Sequence, residues 1–342
     1  MVARVEIVEV GPRDGLQNIP VFVPTQTKIA LIRALAAAGF RRMELGSFVS
    51  PKAVPQMRDM EEVAAAVGIP PGVRAIVLVP NARGVQRAIA AGYHEIELVI
   101  SVSDAHNRAN VGRSTAASVD DLRQLLAEQD PEGRLFIRIG LATSFHCPFA
   151  GLTREEDVLD LIRQLVAIRP GMEYAIADTT GMALPQHVRS LCGRVLREFG
   201  RDGTFLFHGH DTAGFGIANI LAALEAGITT FDTAVGGLGG CPFAPGASGN
   251  IATEDAVYLF QRMGIETGID MGKLMQAGDI ATGLPGAVIA SHARAMPRER
   301  TVEGLLSARP AASAEVYTTA DRFVAGDSLA PEVPASHHVP AA

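Results

Sequence analysis

Eight short runs of strand-forming composition recur along this chain, and stretches of helical composition separate them. The runs cover residues 5–10, 43–48, 74–79, 96–101, 135–141, 174–178, 205–210 and 229–235. A helix between successive strands requires a crossover, and crossovers make neighbouring strands parallel. Eight such units predict an α/β fold of one kind, the closed (β/α)8 TIM barrel. A weak internal repeat supports the count. Ala38-Gly39, Ala91-Gly92 and Ala226-Gly227 each end a helical stretch, and an acid (Glu44, Glu97 or Asp232) follows five places after the glycine. Glycine just past a helix supplies the left-handed C-cap conformation, so one αβ loop is used three times. The offset assigns no function to the acids, which suit structural pairing with arginine as well as catalysis.

Helix signals agree with the strand count. Thr25 is the expected N-cap of a helix running through Leu35 and stopped by Gly39. Residues 157–168, 185–199 and 252–263 read as further barrel helices, and 271–296 adds helical material beyond the eighth unit. One domain is expected over 1–306, a barrel with a C-terminal helical extension. Residues 307–342, rich in Ala, Pro and Ser, are expected to form a mobile tail.

Composition limits the functional classes. A hydrophobic share of 48% supports a large core, and no apolar run approaches the roughly 18 residues needed to span a bilayer. The net charge of -7, with scattered Lys and Arg, argues against nucleic acid as a partner. The first residues lead directly into a strand pattern without a targeting signal, so cytoplasm is the expected compartment. Three cysteines, Cys147, Cys192 and Cys241, fit a reducing environment better than a disulfide framework.

Polar residues fall where a barrel keeps its chemistry, at the C-terminal ends of strands. His208 and His210 close the seventh run, and side chains two apart on a strand share a face, so both imidazoles can meet one metal ion. Strand one is followed by Arg13, Asp14 and Gln17, strand two contains Glu44, strand six ends at Asp178-Thr179, and strand eight opens into a glycine-rich stretch holding Cys241 and Asn250. Two imidazoles with oxygen donors from Asp14 and Asn250 would make a mixed N/O site suited to Mg²⁺ or Mn²⁺. Simpler roles stay open: Asp14 fixing the Arg13 turn, Asn250 capping the helix near Ala252, Cys241 packing inertly. Barrels with an H-x-H pair also hydrolyse substrates through activated water, but His94, His106, His146 and His187 form no evident second ligand set. A non-catalytic binding protein would be expected to lack one of these groups, and all are present.

Four blocks, in order and at similar spacing, closely resemble the 3-hydroxy-3-methylglutaryl-CoA lyase family of DRE-TIM metallolyases. They are residues 8–18 (Val-Glu-Val-Gly-Pro-Arg-Asp-Gly-Leu-Gln-Asn), the segment from Ser47 through Lys52 to Met57, the run from His208 to Asp211, and residues 237–254. The resemblance implies metal ligands Asp14, His208, His210 and Asn250, and a triad of Arg13, Asp14 and Glu44. Arg13 would sit over a thioester carbonyl, Glu44 would orient it, Asp178 with His208 would handle a hydroxyl proton, and Cys241 would donate a proton to carbon. Gln17, Ser47, Arg138 and Thr179, with Arg13, are the implied substrate contacts. The implied reaction is divalent-metal-dependent carbon–carbon cleavage of an acyl-CoA thioester releasing acetyl-CoA, by a homo-oligomer, dimer or higher. Gly140, Ala175, Leu45 and Gly46 depart from the family pattern toward small or apolar residues, and His146 stands where glycine is usual. Those departures imply a roomier acyl pocket, and citramalyl-CoA or a longer 3-hydroxy-3-alkylglutaryl-CoA enters as an alternative substrate.

Overall fold

The computed structural model describes residues 2–240 and 249–306. Strands β1 (Glu6–Glu9), β2 (Arg42–Ser47), β3 (Arg74–Leu78), β4 (Glu95–Ser101), β5 (Phe136–Ala142), β6 (Glu173–Asp178), β7 (Thr204–Gly209) and β8 (Thr230–Thr233) close into a barrel in chain order. All barrel neighbours are parallel, and β1 bonds both β2 and β8, which closes the barrel without a free edge. Around the barrel lie α1 (Thr25–Ala37), α2 (Met60–Val67), α3 (Ala82–Ala90), α4 (Asp104–Val111), α5 (Thr115–Gln129), α6 (Glu155–Ile168), α7 (Pro185–Phe199), α8 (Gly216–Ala226) and α9 (Thr253–Arg262). Their apolar faces, among them Leu35, Val85, Ile162, Val195 and Phe260, are buried against the outward side chains of the strands.

The repeated αβ loop is present in all three places. Gly39, Gly92 and Gly227 have φ of +105°, +87° and +108°, a region that excludes most side chains. The acids five residues later all reach the barrel interior. Glu44 pairs with Arg13, while Glu97 and Asp232 pair with Arg138. A chain of ion pairs therefore fills much of a space that barrels commonly pack with Val, Ile and Leu. At its N-terminal end Arg42 meets Glu173 at 2.7 Å, Glu6 at 3.6 Å and Glu95 at 3.9 Å. Glu173 also reaches Arg138 Nε at 3.5 Å. Buried pairs of this kind add little net stability after desolvation, but they fix the side chains above them.

One local expectation is corrected and another refined. Thr25 is not the N-cap of α1: that position is Pro24, held extended at φ -57° and ψ 141°, and Thr25 Oγ1 instead donates to Asp59 Oδ2 at 2.8 Å. The helical material expected over 271–296 is present, in separate pieces. Helix α10 (Met271–Thr282) stops before Gly283, Pro285 and Gly286, whose φ is +78°, and helix resumes in α11 (His292–Ala295) and α12 (Arg298–Leu306). Proline removes a helical donor and the left-handed glycine turns the chain away. The tail expected over 307–342 lies outside the described residues. Among the described residues no helix is long and apolar enough to cross a membrane.

Candidate active site

The chain leaves β1 in a single π-helical turn, Gly11–Gly15, closed by Gly15 N donating to Val10 O at 3.3 Å. Glu9 anchors this turn. Its Oε1 accepts from Gly11 N at 2.8 Å and Val235 N at 2.9 Å, and its Oε2 accepts from Thr253 Oγ1 at 2.7 Å. Burial outweighs these donors and pushes the Glu9 carboxyl up to about 8. Residue 11 must be glycine, because a Cβ there would lie 2.5 Å from Glu9 Oε1.

The anchored turn presents Arg13 and Asp14 side by side at the barrel mouth. Arg13 Nε lies 2.6 Å from Glu44 Oε1 and Nη1 donates to Asp14 Oδ1 at 2.8 Å. Burial raises the Glu44 carboxyl against the pull of Arg13. Asp14 also accepts from Gln17 Nε2 and Asn250 Nδ2, each at 2.7 Å. Burial disfavours its charge, yet Arg13 and the two histidines hold its pKa below the usual value.

His208 and His210 project from the end of β7, with ring centroids 5.4 Å apart. Potential ligand atoms of Asp14, His208 and His210 all lie within 4.8 Å of one another, the one such His/Cys/Asp/Glu group among the described residues. His208 Nδ1 faces Asp232 Oδ2 at 3.1 Å, which assigns its proton to Nδ1 and leaves Nε2 free to ligate. His210 Nδ1 is buried without a partner. Burial and the neighbouring His208 push its pKa down to about 4, keeping the imidazole neutral.

Asn250 completes the group. It bridges to His210 through backbone pairing, and its amide also donates to Leu238 O at 3.1 Å. Asn250 Oδ1 is buried with no partner. It is not a helix cap, since α9 begins after Ala252 and has no side-chain cap. The donor set of one carboxylate, two imidazoles and an unpartnered amide oxygen fits a hard divalent cation.

The other expected residues lie around this centre in different settings. Ser47 ends β2, buried, with no partner for its Oγ. Thr179 follows β6, and its Oγ1 accepts from Thr143 N at 2.7 Å. Thr143 itself has φ +57°, a strained value for a β-branched residue. Asp178 is fully buried and accepts the backbone amides of Met182 and Ala183, each at 3.1 Å, while burial pushes its carboxyl up to about 6. Cys241 lies outside the described residues.

Arg138 differs from its expected place at the substrate. It is 0% exposed and its guanidinium is taken by Asp232, with Glu97 at 3.8 Å. Gly46 does not open the barrel either: a Cβ there would collide with Met60 Sδ of α2, so this glycine serves strand–helix packing. Gly140 does face inward, where a Cβ would lie 2.9 Å from Glu97 Oε1, and Ala175 is its register partner on β6. Glu9 and Asp232 are the site-shaping residues that the motif reading passed over. Asp232 was signalled by the glycine-plus-five repeat, whereas Glu9, in the run Val8-Glu9-Val10, carries no signal that separates it from a solvent-facing strand residue.

The HMGL-like family model matches residues 4–281, which takes in every strand and the entire ligand group. The chain belongs to the HMGL-like family. This lyase is 43% identical over 285 residues to an (R)-citramalyl-CoA lyase of Chloroflexus aurantiacus, a match covering 80% of this chain and 89% of that protein. It is 41% identical over 274 residues to the hydroxymethylglutaryl-CoA lyase YngG of Bacillus subtilis, covering 80% and 91%. An HMG-CoA lyase of Acinetobacter baumannii, solved in complex with coenzyme A and 3-methylmalate, superposes with a TM-score of 0.78 at 40% identity, covering 84% and 93%. The enzyme is thus a carbon–carbon lyase acting on an acyl-CoA, with a candidate metal site of the kind its divalent-metal-dependent family requires.

Proposed function

We propose that this lyase cleaves 3-hydroxy-3-methylglutaryl-CoA to acetyl-CoA and acetoacetate. The observation that carries the proposal is the meeting of one guanidinium, Arg13, with the Asp14, His208, His210 and Asn250 donor group at the barrel mouth. Mg²⁺ or Mn²⁺ held by those four residues would supply a Lewis acid for the substrate's hydroxyl and carboxylate oxygens. Arg13, oriented by Glu44, hydrogen-bonds the thioester carbonyl, where negative charge grows as the C2–C3 bond breaks. Asp178, with His208 beside it, takes the proton of the 3-hydroxyl, and a carboxyl held near 6 suits that transfer. The C3–O bond becomes the ketone carbonyl, the C2–C3 electron pair passes to the enolate, and Cys241 protonates C2. Gln17, Ser47 and Thr179 contact the substrate, and Arg138 acts on it through Asp232 and His208.

The similarity to a citramalyl-CoA lyase favours a shorter substrate for the same chemistry, and the small residues Gly140 and Ala175 favour a longer one. Citramalyl-CoA, or a longer 3-hydroxy-3-alkylglutaryl-CoA, would give acetyl-CoA and the matching ketoacid. A panel of these thioesters, assayed for acetyl-CoA by mass spectrometry, separates the substrates. Release of free CoA without acetyl-CoA would overturn lyase chemistry in favour of hydrolysis. EDTA is expected to abolish turnover and Mg²⁺ or Mn²⁺ to restore it; full turnover in a verified metal-free sample removes the metal from the reaction. We also place the enzyme in the cytoplasm as a homo-oligomer. Free buried thiols at Cys147 and Cys192 support a reducing compartment, and sedimentation tests the assembly.

A further inference from the structure

The chain between α10 and α12 runs along the rim of the barrel from the loop after β1 to the loop after its neighbour β8. Gly286 packs on Pro20, where a Cβ would lie 2.8 Å from the proline ring, and Ala290 N donates to Gly236 O at 3.0 Å. Gly236 and Gly237 have φ of +68° and +70°, two consecutive left-handed residues with little conformational preference of their own. External contacts must therefore fix this turn. Glu254 Oε2 accepts from Gly236 N at 2.8 Å, and Arg294 Nη1 lies 3.4 Å from Glu254 Oε1. Arg294 is itself held, donating to Met275 O at 3.0 Å and Asp279 Oδ1 at 2.7 Å. Asp255 fastens the same segment by accepting from Ser291 Oγ at 2.8 Å, His292 N at 2.9 Å and Ala293 N at 2.7 Å.

The fixed turn is the seat of Asn250. Leu238 O, one residue beyond the glycine pair, accepts from Asn250 Nδ2, and a Cβ on Gly239 would lie 2.6 Å from that nitrogen. A Cβ on Gly249 would collide with Gly237 O, so the two segments touch backbone to backbone. From these contacts we infer that residues 286–294 form a positioning strap, in which Arg294 and Asp255 hold the Gly236-Gly237 turn and thereby set the Asn250 amide in the metal site. The strap has no atom in the reaction. Its effect is on metal affinity and on the alignment of the site, and it rests on the reading of Asn250 as a ligand.

Mn²⁺ alone, titrated into the metal-free full chain and followed by electron paramagnetic resonance, tests both layers. Asn250→Ala is the reference: parental Mn²⁺ affinity in that variant would overturn the ligand reading itself. With that reading intact, Arg294→Met and Asp255→Asn are each expected to weaken Mn²⁺ binding about tenfold, as loss of supports behind metal ligands does. Each should also lower kcat about tenfold with KM for the thioester little changed. Arg298→Ala spares the contacts of Arg294 with Glu254 and of Asp255 with the strap, and removes a second guanidinium from Asp279, at 2.7 Å. It is expected to lower the melting temperature without changing Mn²⁺ affinity. Parental Mn²⁺ affinity in Arg294→Met and Asp255→Asn would overturn the strap and leave the segment a packing element. Should Arg294→Met fail to fold, Asp255→Asn and Arg294→Lys decide, the lysine recovering part of the affinity if charge holds the turn.

Discussion

His208 Nδ1 lies 3.1 Å from Asp232 Oδ2, and Arg138 closes on the same carboxylate from below. The carboxylate is held at about 2: burial opposes its charge, but Arg138 and His208 together outweigh burial. Asp232 thus stays ionised throughout the useful pH range, and His208 keeps one tautomer and one ring orientation. Asp232→Asn is expected to weaken Mn²⁺ affinity by about 10- to 100-fold. Calorimetric titration of the metal-free variant checks this, and an affinity equal to the parent would show that Asp232 serves only the ion cluster.

Cys241 carries the largest expected effect on turnover. Cys241→Ala should lower kcat by about 10² to 10⁴, the usual contribution of a positioned acid, while Mn²⁺ affinity stays at the parental value. Steady-state rates of acetyl-CoA release, set beside the titration, test both halves. Unchanged turnover would take Cys241 out of the mechanism.

Much of this site was legible because barrel geometry turns sequence position into spatial position. The acids after Gly39, Gly92 and Gly227 illustrate both the reach and the limit. Their common offset marked a repeated loop and so a common depth in the barrel, but which arginine each acid meets depends on closure. Arg138 and Asp232 are 94 residues apart in sequence and touch only because the strands form a ring. Arg138 is expected at the substrate from the family resemblance, and sequence position alone does not tell whether an arginine on a strand meets a thioester or a buried carboxylate. Gly46 shows the converse, since its lack of a side chain is explained by Met60 of a neighbouring helix and not by the pocket.

Glu9 ties the stability of the fold to pH. Its folded-state pKa of about 8 lies above the ordinary 4.5, so the folded chain retains a proton that the unfolded chain has released between those values. Its contribution is complete below about 4.5 and is lost as pH rises toward 8, with a slope near one proton, about 1.4 kcal/mol per pH unit. Glu9→Gln should remove that slope. Its amide oxygen can accept from Gly11 N and Val235 N, and its NH₂ can donate to the Thr253 hydroxyl, so the variant is expected to fold. Urea unfolding from pH 5 to 8 checks this; a Gln variant with the parental slope would assign the pH dependence to other groups, of which Glu254, raised to about 7 by burial, is the first candidate.

Gly140 is expected to set which acyl chain is cleaved. A methyl group there would press on Glu97 Oε1 at 2.9 Å and Val99 Cγ2 at 3.4 Å, so it fits only by pushing these side chains further into the barrel interior beside Ala175, the register partner of Gly140. A one-methylene change in a substrate pocket discriminates by roughly tenfold or more. Gly140→Ala should therefore reduce kcat/KM for longer 3-alkyl thioesters by about tenfold more than for the smallest substrate cleaved. Because Glu97 also faces Arg138, the displaced carboxylate could disturb the support of His208, and parental Mn²⁺ affinity in the variant is needed to assign the effect to the pocket. Equal losses across the whole substrate series, with metal affinity intact, would show that the acyl substituent does not reach Gly140.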